Sequence, residues 1–292
     1  MTVRNSDPTG AVAAAIIGML LAAGPIGAAI AQPVAARPSA DGQTEWLATP
    51  GGRLKARVFA SPQASAHPVL IVVLHGDAPF DRPGYQYAFA ARAAVGDAVA
   101  AAILRPGYTD AVGETSDGVR GLTTGDNYTK GRIEAIVAAI RTLKARHHAR
   151  AVVLIGHSGG AAIGADILAL HPGLAQGALL ASCPCDLKVW RAHMKARQGG
   201  AAIWDRPVQS YSPIDLAPQA PRGVDIELMV GDADDVAPPA LTDAYAAALA
   251  RGGVAAPVVR VPGKGHEILL EPPVLQELTA MVARVGAKTS GR

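Results

Sequence analysis

Short runs of consecutive apolar residues recur along the chain, with segments of helical periodicity between them. The runs Val69–Leu74 (VLIVVL) and 151–155 (AVVLI) are continuously apolar and rich in β-branched residues, as are strands buried on both faces of a parallel sheet. Between them, residues 130–147 carry their isoleucine, valine and leucine side chains on one helical face. Strands that alternate with helices predict an α/β domain whose mostly parallel sheet has helices on both faces.

The other predicted elements follow the same alternation. A hairpin opens the domain over 45–60, with Gly51-Gly52 at its turn. Residues 105–128 are rich in Gly, Thr and Asp, which predicts a long loop over one rim of the sheet. Further strands are predicted over 99–104, 177–182, 225–230 and 258–261, and further helices over 85–96, 159–170, 240–250 and 273–285. Because ligands bind such sheets at the carboxyl ends of the strands, the functional site is expected there.

Composition excludes several classes of protein. Half of the 292 residues are apolar and 17% are charged, so the chain has ample surface to bury and is not intrinsically disordered. The net charge of +3 is too small to indicate a nucleic-acid partner. Two cysteines cannot build a disulfide scaffold or a four-thiolate zinc site. Cys183 and Cys185 flank Pro184, and either a bond between them or two packed thiols fits the sequence.

The N-terminal residues have the layout of a secretory signal peptide. A polar start that includes Arg4 precedes an uncharged run over 11–23, and Ala29 and Ala31 are the small residues of a cleavage site. The alternative is an uncleaved membrane anchor, but Pro25 and several glycines interrupt the apolar stretch.

Cleavage after residue 31 predicts the organisation of the mature chain. The signal peptide covers 1–31, a linker rich in Pro, Ala and Ser covers 32–44, and one α/β domain covers 45–292. The protein is then expected to be secreted or periplasmic, with no stable membrane insertion once the signal is removed.

A candidate nucleophile lies between a predicted strand and a predicted helix. Residues 156–160 read Gly-His-Ser-Gly-Gly and match the G-x-S-x-G pattern in that context. A tight reversal there would lift Ser158 into the pocket, and the flanking glycines leave room where a side chain would clash. The helix N-terminus behind it offers unpaired N–H groups to an anion. The alternative interpretation is an ordinary glycine-rich turn.

Two more polar clusters follow the strands predicted over 225–230 and 258–261. The first contains Asp232, Asp234 and Asp235, any of which could hold a histidine in the tautomer that catalysis needs. The second, GKGHE, contains His266 among small residues that let the loop approach the sheet rim. Because His266 comes last in the order Ser…Asp…His, we interpret it as a functional base rather than a surface histidine.

The loop after the strand Val69–Leu74 supplies a fourth element, His75-Gly76-Asp77. Acyl transfer needs two N–H donors aimed at the developing oxyanion. We expect one from Gly159, which follows the candidate nucleophile, and the other from Asp77, with Gly76 as the second choice. His75 is expected to shape this loop by bonding backbone rather than to take part in catalysis.

These motifs resemble those of the α/β-hydrolase superfamily. The resemblance extends from about residue 45 to the C terminus and rests on HGD, GHSGG, GDADDVAPP and GKGHE. The pattern G-x-x-D-D-x-x-P-P is similar to that of prolyl-oligopeptidase-like and dienelactone-hydrolase-like members, as is SYSPID (210–215) to that of the peptidases. In those members the triad acid is the third residue after the glycine. The resemblance therefore implies Asp234 as the acid, with Asp235 second and Asp232 third.

The resemblance implies a serine hydrolase of α/β-hydrolase fold that needs no metal or organic cofactor. Ser158 would attack a carbonyl, His266 would transfer the proton, and Asp234 would orient His266. Substrate selection is expected from residues 105–128 and from a small cap over about 186–221. The cap has Trp190 and Trp204, which either contact substrate or only anchor the cap, and these lie among several basic residues. This mixed surface favours small, soluble, moderately polar esters.

Two alternatives to an esterase follow from the same residues. One is a serine peptidase of prolyl-oligopeptidase-like type acting on short peptides, and the other is a non-catalytic binding protein of the same fold. A calcium site is not expected, because the acidic residues of the long loop lack EF-hand spacing. These residues, predicted to be solvated, are Asp110, Glu114, Asp117 and Asp126.

Overall fold

The computed structural model describes residues 42–78 and 82–290. Its strands are β1 (Gln43–Thr49), β2 (Gly52–Ala60), β3 (Val69–Leu74), β4 (Ala98–Ile103), β5 (Ala151–His157), β6 (Gly177–Ala181), β7 (Asp225–Gly231) and β8 (Val258–Val261). Its helices are α1 (Tyr85–Ala93), α2 (Lys130–Arg146), α3 (Gly159–Leu170), α4 (Leu187–Arg197), α5 (Pro213–Leu216), α6 (Pro239–Arg251) and α7 (Pro272–Ser290). The predicted signal peptide and residues 32–41 of the predicted linker lie outside the described residues.

The strands form one eight-stranded sheet in the order β1-β2-β4-β3-β5-β6-β7-β8. The pairs β1–β2 and β2–β4 are antiparallel, and every later pair is parallel. The predicted α/β architecture is thus confirmed. The carboxyl ends of β3, β5, β6, β7 and β8 all reach the same edge of the sheet.

Both faces of the sheet are buried, and β3 shows how the sequence achieves this. Val69, Ile71 and Val73 pack with α1 and α7 on one face, whereas Leu70, Val72 and Leu74 pack with α2 and α3 on the other. A strand with alternate side chains in two cores has to be apolar throughout. Each fully buried valine, leucine or isoleucine contributes about 1.5–3 kcal/mol relative to an exposed one.

Several element boundaries differ from their predictions. The first strand begins at Gln43, so residues 43 and 44 of the predicted linker belong to the sheet. The hairpin turns at Pro50-Gly51, because Thr49 pairs with Gly52. The last helix continues past residue 285 to Ser290.

The predicted cap segment, residues 186–221, is helical. It consists of α4, α5 and two 3₁₀ turns, Ala202–Asp205 and Ala217–Gln219. Just before it, Cys183 and Cys185 form a disulfide immediately after β6, which decides between the two interpretations of this pair. Within the described residues, no helix combines the length and the apolar character needed to cross a bilayer.

Candidate active site

Ser158 occupies a sharp reversal between β5 and α3. Its backbone has a φ of 54°, a left-handed conformation that costs a residue other than glycine about 1–3 kcal/mol. A Cβ on Gly156 would lie 2.3 Å from the Gly160 oxygen, and one on Gly160 would lie 2.2 Å from the Leu74 oxygen. Both glycines are therefore required by the close approach of backbone, and the turn has the steric form that the G-x-S-x-G pattern predicts.

His266 and Asp234 meet at the same edge of the sheet. The Nδ1 atom of His266 lies 3.1 Å from Oδ1 and 3.0 Å from Oδ2 of Asp234. Asp234 also accepts hydrogen bonds from the N–H groups of Val236 and Ala237. Burial by itself raises the pKa of Asp234, but these bonds and the adjacent imidazole hold the pKa below its ordinary value. The carboxylate is thus charged, so Nδ1 of His266 donates to it and Nε2 is left as a base.

The structure separates the three aspartates that the sequence left in competition. Asp232 is exposed and caps the turn at the Gly263 N–H. Asp235 is also exposed and pairs with Arg197 of α4, with 2.8 Å between Nη2 and Oδ2. Among the three, only Asp234 bonds His266, so its role as the triad acid stays the prediction that the geometry permits.

The loop after β3 lies beside the serine turn. The Gly76 N–H already donates to the Tyr85 hydroxyl at 2.6 Å. Within the described part of the chain, the Asp77 and Gly159 N–H groups have no hydrogen-bond acceptor. The Asp77 N–H is therefore available to an acceptor in the cavity, whereas the Gly76 N–H is already engaged.

His75 shapes this loop, as expected. Its Nε2 accepts from the Arg105 N–H at 3.0 Å, so its Nδ1 must carry the proton and donate to the Gly76 oxygen at 2.7 Å. Burial, and then the charge of Arg105, lower the pKa of His75 well below its ordinary value. The ring is neutral and fully engaged with backbone, which leaves it no catalytic role.

A buried ion pair under the loop was not anticipated from the sequence. Asp77 accepts from Arg105 at 3.0 Å and from the Tyr128 hydroxyl at 2.8 Å. Its carboxylate packs against Gly159, where a Cβ would lie 2.3 Å from Oδ1. Arg105 and Tyr128 are the ends of the segment expected to select substrate, but both are buried. They anchor the loop that carries the Asp77 N–H.

Ser158 and His266 both line a cavity of about 620 Å³ at this edge of the sheet. The cap covers it mainly with apolar side chains: Trp190, Met194, Ile203 and Trp204. Arg197 and Gln198 of the cap line the cavity as well, so a cation and an amide accompany the apolar side chains there. Another cap cation, Arg191, is largely buried and donates to the Thr124 and Trp204 oxygens.

The two cap tryptophans are both anchored and open to the cavity. The indole N–H of Trp190 donates to the Val236 oxygen, and that of Trp204 donates to Gln198. Both rings also line the cavity, so their anchoring is shown while contact with substrate stays a prediction.

One group of side chains among the described residues could in principle share a metal ion. Donor atoms of His157, His266 and Glu267 lie within 4.8 Å of one another. The Nε2 atom of His157 faces the His266 carbonyl oxygen at 2.9 Å, and Nδ1 of His266 faces Asp234. The rings are therefore oriented for a hydrogen-bond network rather than toward a common ion.

Solved structures with a similar backbone include the Mycobacterium tuberculosis puromycin-hydrolyzing peptidase. The TM-score is 0.65 and the identity 19%, over 85% of this chain and 39% of that chain. The acylaminoacyl peptidase of Pyrococcus horikoshii gives a TM-score of 0.61 and 13% identity, over 85% of this chain and 41% of that one. The chain thus spans about two fifths of these peptidases.

Est1E from Butyrivibrio proteoclasticus is similar over nearly its whole length. The TM-score is 0.62 and the identity 14%, over 84% of this chain and 99% of that one. The chain has the α/β-hydrolase fold. No protein-family model and no curated protein matches the sequence.

Proposed function

We propose that the protein is a serine hydrolase that cleaves ester bonds of small, soluble substrates. One observation carries the proposal: the strained Ser158 and His266, whose ring is paired with the buried Asp234, line a single cavity at the carboxyl edge of the sheet. These groups follow three different strands, and His266 lies 109 residues along the chain from His157, the residue directly before Ser158. A binding protein needs no such convergence of nucleophile, base and carboxylate.

The proposed reaction has two halves. In the first, Nε2 of His266 takes the Ser158 proton while Oγ bonds to the ester carbonyl carbon, and the imidazolium then gives that proton to the departing alcohol. In the second, water attacks the acyl-enzyme, His266 takes the proton from water, and Ser158 regains it as the acid leaves. Asp234 keeps the imidazole in the productive tautomer and stabilises its cation.

The Asp77 and Gly159 N–H groups would bind the oxyanion that forms in each half. Such donors, fixed before the reaction, each lower the barrier by about 3–4 kcal/mol when judged by their removal. The Asp77 carboxylate does not oppose the oxyanion with an unbalanced charge, because Arg105 neutralises it at 3.0 Å.

The cavity suggests the kind of ester. Its cap wall is mainly apolar and aromatic but includes Arg197 and Gln198, and Arg82 and Glu267 place charges elsewhere on its lining. We propose an ester with one apolar group of moderate size, alkyl or aryl, which would contact Trp190 and Trp204.

A serine peptidase is the second candidate. The similarity to two peptidases favours it, since the fold is shared over 85% of this chain. Because the chain spans only about two fifths of those proteins, their peptide selectivity does not transfer by fold.

Export remains part of the proposal. Residues 1–31 have the sequence of a signal peptide, and the Cys183–Cys185 disulfide suits an oxidising compartment. Secretion or periplasmic location is tested by N-terminal sequencing of the protein recovered from cell fractions, where a mature start at Gln32 is expected.

The activity is tested with matched panels of ester and peptide substrates. Alkyl and aryl esters should be hydrolysed, and Ser158→Ala should lower kcat by about 10⁴-fold or more while the protein stays folded. Ser65→Ala, an exposed serine far from the cavity, serves as the control and should be unchanged. Peptide turnover with negligible ester turnover would reverse the order of the two candidates, and no turnover of either would favour a binding protein.

A further inference from the structure

His157, the variable residue of the G-x-S-x-G turn, touches the loop that carries His266. Its Nε2 lies 2.9 Å from the His266 carbonyl oxygen, and its Nδ1 lies 3.0 Å from the Tyr85 hydroxyl. The two imidazole rings are 5.1 Å apart between centroids. His157 itself is buried, and it lines the edge of the cavity together with Tyr85 and His266.

The partners fix which nitrogen of His157 carries the proton. The Gly76 N–H donates to the Tyr85 oxygen, so the Tyr85 hydroxyl proton is free to go to Nδ1 of His157. Nε2 must then be protonated and donate to the His266 carbonyl. A chain of three hydrogen bonds thus runs from the β3 loop through α1 and the serine turn to the His266 main chain.

A second donor reaches the same carbonyl from a different strand. The Ser182 hydroxyl, directly after β6, donates to the His266 oxygen at 2.9 Å. Ser182 has a φ of 51°, a strained conformation that aims this hydroxyl. The Ile268 N–H is a third donor, but it lies within the His266 loop and cannot fix that loop to the sheet.

We propose that His157, together with Ser182, is a positioning residue that locks the His266 main chain to the sheet rim and so aims the imidazole at Ser158. The inference rests on the proposed hydrolase function. Asp234 holds only the ring of His266, and a ring held at one nitrogen can still move with its backbone. A second anchor at the carbonyl removes that motion, and misplacement by about 1 Å costs about 10²-fold in rate.

His157 suits this role because it stays neutral. Burial, and then the nearby His266, lower the pKa of His157 to about 4. The other ionisable groups around it are Tyr85, Asp234 and Glu267. A neutral ring keeps the Nε2–H donor and the Nδ1 acceptor, and it places no cation beside the imidazolium that forms on His266.

The test compares substitutions that differ in the donor they keep. His157→Leu removes the bond to the His266 carbonyl and should lower kcat for a good ester by about 10²-fold, with KM changed less than about threefold. His157→Gln places an amide N–H where Nε2–H was and should recover most of kcat. Ser182→Ala and Ser182→Gly should each lower kcat, since both lose the hydroxyl although only glycine relieves the strain.

Controls separate positioning from a general loss of structure. His147→Leu deletes a histidine that bonds Glu45 on β1, far from the cavity, and should leave kcat unchanged. Thermal unfolding is measured for every variant. If His157→Leu does not fold, the kcat values of the two Ser182 variants test the positioning role instead.

Wild-type kcat in His157→Leu, or in both Ser182 variants, would overturn the inference. Failure of His157→Gln to recover kcat while its melting temperature equals that of the wild type would overturn it as well. The underlying function fails separately, because it predicts an inactive Ser158→Ala whatever the His157 variants do.

Discussion

Replacing Arg105 by methionine should destabilise the protein through the carboxylate it leaves behind. Arg105 is 1% exposed and donates to Asp77, to the His75 oxygen and to Asn127, at 2.8–3.0 Å. Methionine fills much of the same volume but donates nothing. Among the described residues, the buried Asp77 carboxylate would then keep only the Tyr128 hydroxyl as a side-chain donor.

The expected loss of unfolding free energy follows from the burial of the Arg105–Asp77 ion pair. Removing one partner of a buried ion pair costs about 3–5 kcal/mol, and the two orphaned oxygens add to it at about 1 kcal/mol each. We therefore expect Arg105→Met to lose at least about 5 kcal/mol of unfolding free energy. Adding Asp77→Asn removes the lone charge, so the double variant should regain about 2 kcal/mol of that loss.

Urea unfolding measures these differences as shifts in the midpoint at constant slope. Arg260→Met is the control, because Arg260 and its partner Asp243 are 38% and 52% exposed and loss of this surface pair should cost less than about 1 kcal/mol. An Arg105→Met variant within about 1 kcal/mol of the wild type, or a double variant less stable than Arg105→Met alone, would refute the reasoning.

Three other substitutions test separate parts of the structure. Asp234→Asn should lower kcat by about 10⁴-fold, because an amide N–H facing Nδ1 of His266 reverses its tautomer; steady-state rates within tenfold of the wild type would contradict this. Gly160→Ala should destabilise the fold by at least about 2 kcal/mol, since its Cβ would lie 2.2 Å from the Leu74 oxygen; an unchanged melting curve would count against the tight turn. Asp166, buried on α3 with no partner for either oxygen among the described residues, has a pKa raised by burial and then by Asp215. The native state therefore binds the Asp166 proton more tightly than the unfolded state does, which stabilises the fold at low pH. This contribution is fully present below the unfolded-state pKa of about 3.9 and is lost as pH rises through the higher pKa of the folded state. Asp166→Asn should then gain at least about 1 kcal/mol at pH 7 and less at pH 4; an equal gain at both would contradict the assignment.

The strands and the order of functional motifs were predictable because their signals are local. A run such as Val69–Leu74 suits only a strand buried on both faces, and both faces of β3 are indeed covered. The serine turn was predictable for the same reason, since Gly156 and Gly160 meet backbone that any such reversal brings close.

The network behind the site could not be read from the sequence. Arg105 and Asp110 lie in a loop whose composition indicates solvent, yet both are buried, and Asp110 pairs with Lys55 of β2. Glu114 shares Lys55, although it is itself half exposed. Burial of a charged side chain depends on a partner far along the chain, and no local sequence pattern indicates which residue that partner is.

The anchors of His266 were missed on similar grounds. His157 was treated only as the variable position of its motif, and Tyr85 only as a helix residue. Their contact joins positions 72 residues apart and appears only when α1 packs beside β5. The one sequence feature that pointed to this anchor was a histidine directly before the candidate nucleophile.

The most direct test of the account is the site of covalent labelling by a fluorophosphonate. The probe should phosphonylate one residue per chain, and peptide mass spectrometry should find the adduct on Ser158, with labelling strongly slowed in His266→Ala. An adduct on another residue, or none in well-folded protein, would contradict the claim that Ser158, His266 and Asp234 act together at this edge of the sheet.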